Sequence, residues 1–251
     1  MAASKPSVRI VADPEELARE GAGIFIAGVQ EALREKETCT VVLAGGATPR
    51  SLYSMLAEER GFRAGVPWEK IHFFFGDERH VPPDSPESNY RMANEVLLSK
   101  VPVPADHVHR IRGEEPDARK AAEEYEEVLR RNFRPKAGEI PEFDFILLGM
   151  GADGHTASLF PGTEALKERK RLVVANWVPG LNAHRFTLTP PLLNNAKYVL
   201  FLVTGEEKAE TLRRVLEEKN HEALPAGLIR PAHGRCLWLV DRFAARLLKT
   251  I

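Results

Sequence analysis

The segment from Phe143 to Pro161 contains the residues best suited to chemistry. An apolar run at residues 143–148, with one early charge, leads into a segment with three glycines, and Asp153 and His155 lie on either side of the last of them. An imidazole titrates near neutral pH and can take a proton from water, while a carboxylate can orient it and support its charged form. The length of the apolar run predicts a strand buried on both faces. Because ligands bind beyond the carboxyl ends of strands in open α/β sheets, we interpret this turn as a candidate catalytic site.

A glycine turn follows a second apolar run, at residues 40–44. It contains Gly45, Gly46 and Thr48, and a helix is predicted directly after it. Backbone amides at a helix start bind anions, and the helix dipole favours negative charge there. We therefore interpret the turn as a phosphate site, with Thr48 as the helix N-cap. The alternative is a well-capped helix without a ligand, and the absence of a following Gly-Lys-Ser/Thr argues against a nucleoside triphosphate.

The next predicted strand, at residues 71–75, opens into a run of charged residues. The run includes Asp77, Glu78 and Arg79. Charged groups beside a sheet cost free energy unless they face a cleft or one another. We favour a role in the site because this loop is predicted to leave the same sheet edge as the other two. A solvated loop with a structural Asp–Arg pair is the alternative.

Two basic residues lie further along the chain. Arg185 begins a predicted strand at residues 184–188, and Lys208 lies in the first turn of a predicted helix at residues 206–218. A cation at a helix start opposes the helix dipole. We therefore expect an anionic ligand near Lys208. The alternative is a solvated run of charges.

A nicotinamide site fits the central segment less well. Gly149, Gly151 and Gly154 match the dinucleotide fingerprint by letter. That fingerprint continues into a long helix and places an acid at the end of the next strand. Here Pro161 and Gly162 interrupt the helix, and the next predicted strand ends without an acid. We therefore predict no dinucleotide cofactor.

A catalytic metal is also not predicted. Asp153 and His155 supply two ligands, whereas zinc catalysis usually needs three protein ligands and an open position. His107 and His109 follow a proline-containing loop and are predicted to lie at the surface. We therefore interpret Asp153 and His155 as an acid–base pair.

Strand-like and helix-like segments alternate along the chain, which predicts a single α/β domain spanning residues 1–251. The expected architecture is a mainly parallel twisted sheet with helices on both faces, a Rossmann-like three-layer fold. Beyond the runs named above, strands are predicted at residues 8–12, 108–111, 171–177, 198–203 and 236–240. Helices are predicted after Asp13, which is the expected N-cap, and at residues 89–100, 114–133 and 242–248.

Composition limits the class of protein. The 251 residues carry 35 basic and 36 acidic side chains, so the net charge of -1 favours neither nucleic acid nor an anionic membrane as a partner. There is no apolar stretch of membrane-spanning length, and the amino terminus lacks the apolar block of a signal peptide. Cys39 and Cys236 fit buried, reduced thiols. The chain is therefore predicted to be cytoplasmic.

These motifs together resemble the glucosamine-6-phosphate isomerase/6-phosphogluconolactonase family, and its lactonase members in particular. The resemblance runs from about Thr40 to the end of the chain, and the charged and central segments are its most specific parts. The segments are LAGGATPRSLY (43–53), GDERHVPPDSPESNYRM (76–92), FDFILLGMGADGHTASLFPG (143–162), HRFTLTPPLLNNAKYVLFLVTGEEKA (184–209) and LPAGLIRP (224–231).

The resemblance implies hydrolysis of 6-phosphoglucono-1,5-lactone to 6-phosphogluconate in the oxidative pentose phosphate pathway, without metal or cofactor. The partner it implies is thus a small phosphosugar lactone, and related lactonases indicate a monomer. His155 matches the family's general base and Asp153 the acid of the same motif. Arg79, or the amides of the glycine turn, would stabilise the oxyanion.

The resemblance also implies a phosphate site. Arg185 and Lys208 match basic residues that contact the substrate phosphate. The glycine turn contributes Gly45, Gly46 and Thr48. Supporting positions are Asp77, Ser88 and Asn89.

Two other functions remain as alternatives. A sugar-phosphate deaminase or isomerase of the same group carries a glutamate five residues after the histidine, where this chain has Phe160. A sugar-phosphate sensor usually brings a DNA-binding helix-turn-helix, for which the short leader before Val8 leaves no room. We therefore favour plain hydrolysis.

Overall fold

A computed structural model describes residues 7–136, 138–218 and 223–249. The strands are β1 (Ser7–Val11), β2 (Cys39–Leu43), β3 (Ile71–Phe75), β4 (Asp77–Arg79), β5 (Val108–His109), β6 (Phe145–Leu148), β7 (Val173–Val178), β8 (Ala183–Leu188), β9 (Tyr198–Val203) and β10 (Arg235–Asp241). The α-helices are α1 (Pro14–Glu35), α2 (Ala47–Glu58), α3 (Arg60–Gly65), α4 (Asn89–Val96), α5 (Ala118–Phe133), α6 (Pro190–Leu193) and α7 (Ala209–Glu217).

Seven strands form a parallel sheet in the order β1-β10-β9-β6-β2-β3-β5. The predicted mainly parallel α/β fold is confirmed. The central strand β6 is buried at every position and pairs with both β2 and β9. Since all these strands run the same way, the loops after β2, β3, β6 and β9 leave one edge of the sheet.

Helix α1 packs against one face of this sheet, and its sequence explains where it begins and how closely it packs. Asp13 caps its start, as predicted, by accepting hydrogen bonds from the backbone N–H groups of Glu15 and Glu16. Further along, Gly28 faces the ring of Phe145, and a Cβ on this glycine would lie 2.6 Å from that ring. The missing side chain therefore lets α1 approach the central strand closely.

A second, three-stranded sheet in the order β4-β8-β7 is antiparallel and was not predicted. Residues 179–182 join β7 to β8, and Asn182 adopts a left-handed conformation with φ 46°. A connection this short makes a hairpin, because a parallel pair needs a crossover of a dozen or more residues. The prediction of one parallel sheet is therefore incomplete.

The predicted final helix at residues 242–248 is wrong, because this segment forms turns. The backbone N–H of Arg242 donates to Val11 O, which continues the strand pairing past β10. The Asp241 carboxylate accepts hydrogen bonds from Ala244 N at 2.7 Å and from Gly205 N. These contacts tie the segment to the sheet edge. Along the described ranges, no helix has the length and apolar character needed to cross a bilayer.

Three histidines pack together beside the edge strand β5. The ring of His72 stacks on that of His107 at 3.8 Å between centroids, and its Nδ1 lies 3.1 Å from His109 Nε2. His109 in turn stacks on Phe74. The prediction that His107 and His109 lie at the surface is wrong, since both are half-buried, His107 directly before β5 and His109 in β5 as the register partner of Phe74 on β3. Burial, followed by the nearby histidines, lowers the pKa of His109 to about 4.

The histidine cluster predicts that the protein loses stability in mild acid. Burial also lowers the pKa of His72, with His107 adding to the effect. Unfolded imidazoles protonate near pH 6.5, so below that pH the unfolded state binds more protons than the folded state. The free energy of unfolding should therefore fall as the pH drops from about 6.5 towards 4. Melting temperatures of the wild type and His109→Gln across this range provide the test. The variant should show the shallower dependence, and equal slopes would contradict the prediction.

Candidate active site

The turn after β6 carries the predicted acid–base pair. Asp153 Oδ1 accepts a hydrogen bond from the backbone N–H of His155 at 3.1 Å and lies 2.6 Å from His155 Nδ1. Burial raises the pKa of Asp153, but the backbone N–H and the imidazole of His155 outweigh it and leave the pKa below its usual value. An ionised carboxylate is an acceptor only, so the proton of the neutral ring lies on Nδ1. The Nε2 atom is then free to accept a proton.

Backbone and side-chain hydrogen bonds fix the shape of this turn. Gly151 N donates to His155 O at 2.9 Å, and Thr211 Oγ1 on α7 donates to Ala152 O at 2.6 Å. Gly154 has φ 84°, a conformation that favours glycine. A Cβ on Gly151 would lie 2.1 Å from His155 Nδ1. The glycines therefore let the backbone pass directly behind the acid–base pair.

The glycine turn after β2 differs from its prediction at the helix start. Helix α2 begins at Ala47 with Gly46 as N-cap, so the prediction of Thr48 as N-cap is wrong. Gly46 has φ 100°, which lets the chain enter the helix early. The freed Thr48 hydroxyl lies 2.8 Å from Thr204 Oγ1, at the end of β9. Thr48 and Thr204 thus place two hydroxyls beside the start of α2, where an anion is favoured.

Two buried acids organise the charged loop after β3. Asp77 accepts hydrogen bonds from Ser158 Oγ at 2.8 Å and from Asn89 Nδ2 at 3.1 Å. Glu78 accepts hydrogen bonds from Ser88 Oγ and from the backbone N–H groups of residues 79, 89 and 90. Burial raises the pKa of Glu78, against the effect of these hydrogen bonds. Asp77 and Glu78 thus anchor the start of α4 to the site.

Arg79 and Arg185 lie side by side on neighbouring strands. They are register partners in the pairing of β4 with β8. Arg79 Nη1 donates to Glu87 O at 2.5 Å. Burial, and then the positive charge of Arg79, lowers the pKa of Arg185. Two adjacent guanidinium groups create a positive potential suited to an anionic ligand.

Lys208 joins the start of α7 to the turn after β6 that carries Asp153 and His155. Its Nζ donates to Met150 O at 2.8 Å. An ammonium group has three donors, so two remain for a ligand. Lys208 therefore connects an anion site to the backbone that carries His155.

A cavity of about 300 Å³ brings most of the predicted residues together. The predicted residues that line it are Gly45, Gly46, Thr48, Asp77, Arg79, Asn89, His155 and Lys208. Outside the lining, Asp153 supports the imidazole, Arg185 flanks Arg79, and the buried Ser88 hydroxyl donates to Glu78 Oε2. A larger cavity, about 1040 Å³, lies beside β7 and the start of α5 and is lined by none of the predicted site residues.

Sequence reasoning missed several residues of the site. Glu78 accepts a hydrogen bond from Asn89 N at the start of α4, eleven residues away, and no local sequence pattern indicates that contact. Thr204 and Glu207 line the cavity. Both residues come shortly after the buried strand β9, and this position was the available signal, because the other site loops also follow buried strands.

Among the described residues, no group of three histidine, cysteine, aspartate or glutamate side chains is arranged to hold a metal ion. Asp153 and His155 contact each other directly. A carboxylate in contact with an imidazole is suited to proton transfer, here next to a cluster of positive groups.

Comparison with known proteins places the chain among sugar-phosphate enzymes. The model of the family "Glucosamine-6-phosphate isomerases/6-phosphogluconolactonase" matches residues 12–238. A 6-phosphogluconolactonase of Nostoc sp. is 37% identical over 241 residues, covering 96% of this chain and 97% of that protein. The human 6-phosphogluconolactonase is 42% identical over 211 residues, covering 82% and 79%. The structure of 6-phosphogluconolactonase from Trypanosoma cruzi superposes with a TM-score of 0.86 at 32% identity, covering 99% of both chains.

The close approach of Gly151 to the acid–base pair predicts the effect of Gly151→Ala. The new methyl group would lie 2.1 Å from His155 Nδ1 and 2.7 Å from Asp153 Oδ1, so both side chains must move. We expect kcat to fall by about tenfold or more, because a misplaced catalytic group is costly. The melting temperature should change little, since the crowded atoms are side-chain ends.

Gly23→Ala is the control for this experiment. Gly23 lies in α1, and a Cβ there meets nothing within 4 Å. This variant should keep wild-type kcat. Wild-type kcat in Gly151→Ala as well would show that the imidazole position is not critical.

Proposed function

The chain belongs to the family of glucosamine-6-phosphate isomerases and 6-phosphogluconolactonases, and we infer that it hydrolyses 6-phospho-D-glucono-1,5-lactone. The product is 6-phospho-D-gluconate, and the reaction belongs to the oxidative pentose phosphate pathway. The observation that carries this inference is the shared cavity, in which His155 faces the same space as Thr48 and Lys208. A proton acceptor and an anion site within one sugar-sized cavity suit a phosphorylated lactone.

We propose His155 as the general base. Its Nε2 takes a proton from a water molecule as the water oxygen bonds to the lactone carbonyl carbon. Asp153 keeps Nδ1 protonated and supports the imidazolium that forms. When the tetrahedral intermediate collapses, the bond from the carbonyl carbon to the ring oxygen breaks, and the imidazolium returns its proton to that oxygen. This cycle regenerates the neutral base and leaves an open-chain acid.

The oxyanion of the intermediate needs a nearby donor. We propose Arg79, because its guanidinium lines the cavity together with His155. The backbone amides of residues 149–154 are the alternative donors. Asp77 and Asn89 also line the cavity, and Asn89 Nδ2 donates a hydrogen bond to Asp77 Oδ1. Developing negative charge would thus appear beside a preformed positive group.

We propose that the phosphate binds between Lys208 and the start of α2, which line the same cavity. Lys208 offers ammonium donors, and the start of α2 offers the Gly45 and Gly46 backbone with the Thr48 hydroxyl. Arg185 adds positive charge beside Arg79, and the buried Ser88 hydroxyl supports the loop through Glu78. Binding the phosphate fixes how the lactone ring is presented to His155.

A deaminase or isomerase of the same family is the second candidate function. Phe160 occupies the position at which that group of enzymes carries a glutamate, and its ring stacks on His155 at 4.4 Å between centroids. An apolar ring there supplies no proton to a sugar ring oxygen. We therefore favour lactone hydrolysis over ring-opening isomerisation, and over a non-catalytic sensor that would not need an acid–base pair.

We further propose a monomer of one domain, residues 1–251, that acts in the cytoplasm without metal, cofactor, nucleic acid or membrane. The buried residues of both sheets form one core cluster, which supports a single domain. The near-zero net charge supports the absence of nucleic-acid and membrane partners. The unpaired Cys39 and Cys236 support a reducing compartment.

Replacement of His155 tests the proposed base. His155→Ala should lower kcat for 6-phosphogluconolactone by about 10²- to 10⁴-fold, the usual contribution of a general base. KM should change little, because the phosphate site is intact. The wild-type rate should be the same with and without a chelator. Full activity in His155→Ala would remove this assignment, and ammonia release from glucosamine-6-phosphate by the wild type would favour the deaminase.

Replacement of Lys208 tests the phosphate site. Lys208→Met keeps an unbranched side chain, one atom shorter, but loses its charge, so KM for the phosphorylated lactone should rise by about tenfold or more. Activity on unphosphorylated gluconolactone should be less affected. Equal losses on the two substrates would show that Lys208 acts on the catalytic turn through Met150 and not on phosphate.

A further inference from the structure

The ring of Phe160 covers one face of the His155 imidazole. The two ring centroids are 4.4 Å apart, with an angle of 26° between the planes. The residues are five positions apart in sequence and flank a tight turn, in which Thr156 and Leu159 form an antiparallel bridge. Phe160 is itself half-buried, so its ring is held partly within the protein where it meets the imidazole.

The hydrogen bond to Asp153 does not by itself fix the plane of the imidazole. It holds one atom, Nδ1, and the ring can still turn about that contact. Asp153 is also half-exposed and lies in the same turn as His155. The direction of Nε2 depends on the ring plane, so a base that must meet an attacking water needs a second restraint. A parallel aromatic ring at van der Waals distance supplies one.

The backbone of Phe160 is anchored to the second sheet. Its carbonyl oxygen accepts hydrogen bonds from Thr163 Oγ1 at 2.8 Å and from Thr163 N at 3.2 Å. Asn176, buried on β7, donates from Nδ2 to Thr163 Oγ1 at 3.0 Å and to Ser158 O at 2.9 Å. The amide of Asn176 thus ties together the two sides of the segment that presents Phe160. A continuous series of contacts therefore links Asn176 on β7, through Thr163 and Phe160, to the His155 imidazole.

We propose that Phe160 is a positioning residue for the hydrolysis. Its ring sets the plane of the His155 imidazole so that Nε2 points into the cavity. The electron-rich face of the ring also stabilises the imidazolium that forms when water loses its proton. This inference rests on the proposed function, because it requires His155 to act as the base.

Phe160→Leu is the test, with Phe160→Tyr as the matched control. Leucine keeps an apolar side chain but removes the flat aromatic face, so kcat should fall by about tenfold while KM stays within about twofold. The midpoint of the acidic limb of the kcat/KM profile should move to lower pH, because the imidazolium loses the stabilisation of the aromatic face. Tyrosine restores that face, so this variant should keep both the wild-type kcat and the wild-type profile.

The outcomes separate this inference from the proposed function. His155→Ala measured in parallel tests the base, and Phe160→Leu added to it should cause no further loss of kcat. Loss of activity in His155→Ala together with wild-type kcat in Phe160→Leu would overturn the role of Phe160 alone. The role of Phe160 would also be overturned if Phe160→Leu raised KM or left the acidic limb unmoved. It would equally be overturned if Phe160→Tyr lost as much kcat as Phe160→Leu. Full activity in His155→Ala would overturn both proposals.

Discussion

The parallel pairing of β6 with β2 and β9 is the constraint on which the site depends. It places the ends of three buried strands side by side, so that their loops meet above one sheet edge. Each loop then contributes one kind of group: a helix start with backbone amides, an acid–base pair, and a lysine at Lys208. None of these groups is a site alone. Their combination follows from the direction in which apolar strands run, which is a property of the core and not of the charged residues.

The small antiparallel sheet adds what the parallel sheet cannot supply. Its strands place Arg79 and Arg185 in register and hold Asn176 where its Nδ2 donates to Ser158 O, three residues after His155. Ser158, in the segment after β6, links that strand to the antiparallel sheet, because its hydroxyl donates to Asp77 on β4 and its backbone N–H donates to Thr187 on β8. The cost of burying Asp77 is offset because its carboxylate is hydrogen-bonded on both oxygens. A buried acid at this junction thus serves both architecture and electrostatics.

Sequence reasoning predicted the parts that follow from local pattern. Apolar runs located the central strands, and the glycines after them located His155, because chain direction then decides which loops converge. It did not predict the hairpin of β7 and β8, the N-cap at Gly46, or the turns after Asp241. These depend on loop length, a positive φ and long-range hydrogen bonds. The bonds of Glu78 and the stacking of Phe160 depend on side-chain packing, which spacing does not encode.

The acid–base pair lies within three consecutive residues, but the groups that support it come much later in the sequence. Asp153 and His155 can meet as soon as their turn closes, whereas Asn176 and Lys208 lie 21 and 53 positions beyond His155. During synthesis, a growing chain would therefore expose a formed but unsupported imidazole until the last third has emerged from the ribosome and docked. Activity would then appear only when folding is complete, and partly synthesised chains would not hydrolyse the phosphorylated lactone.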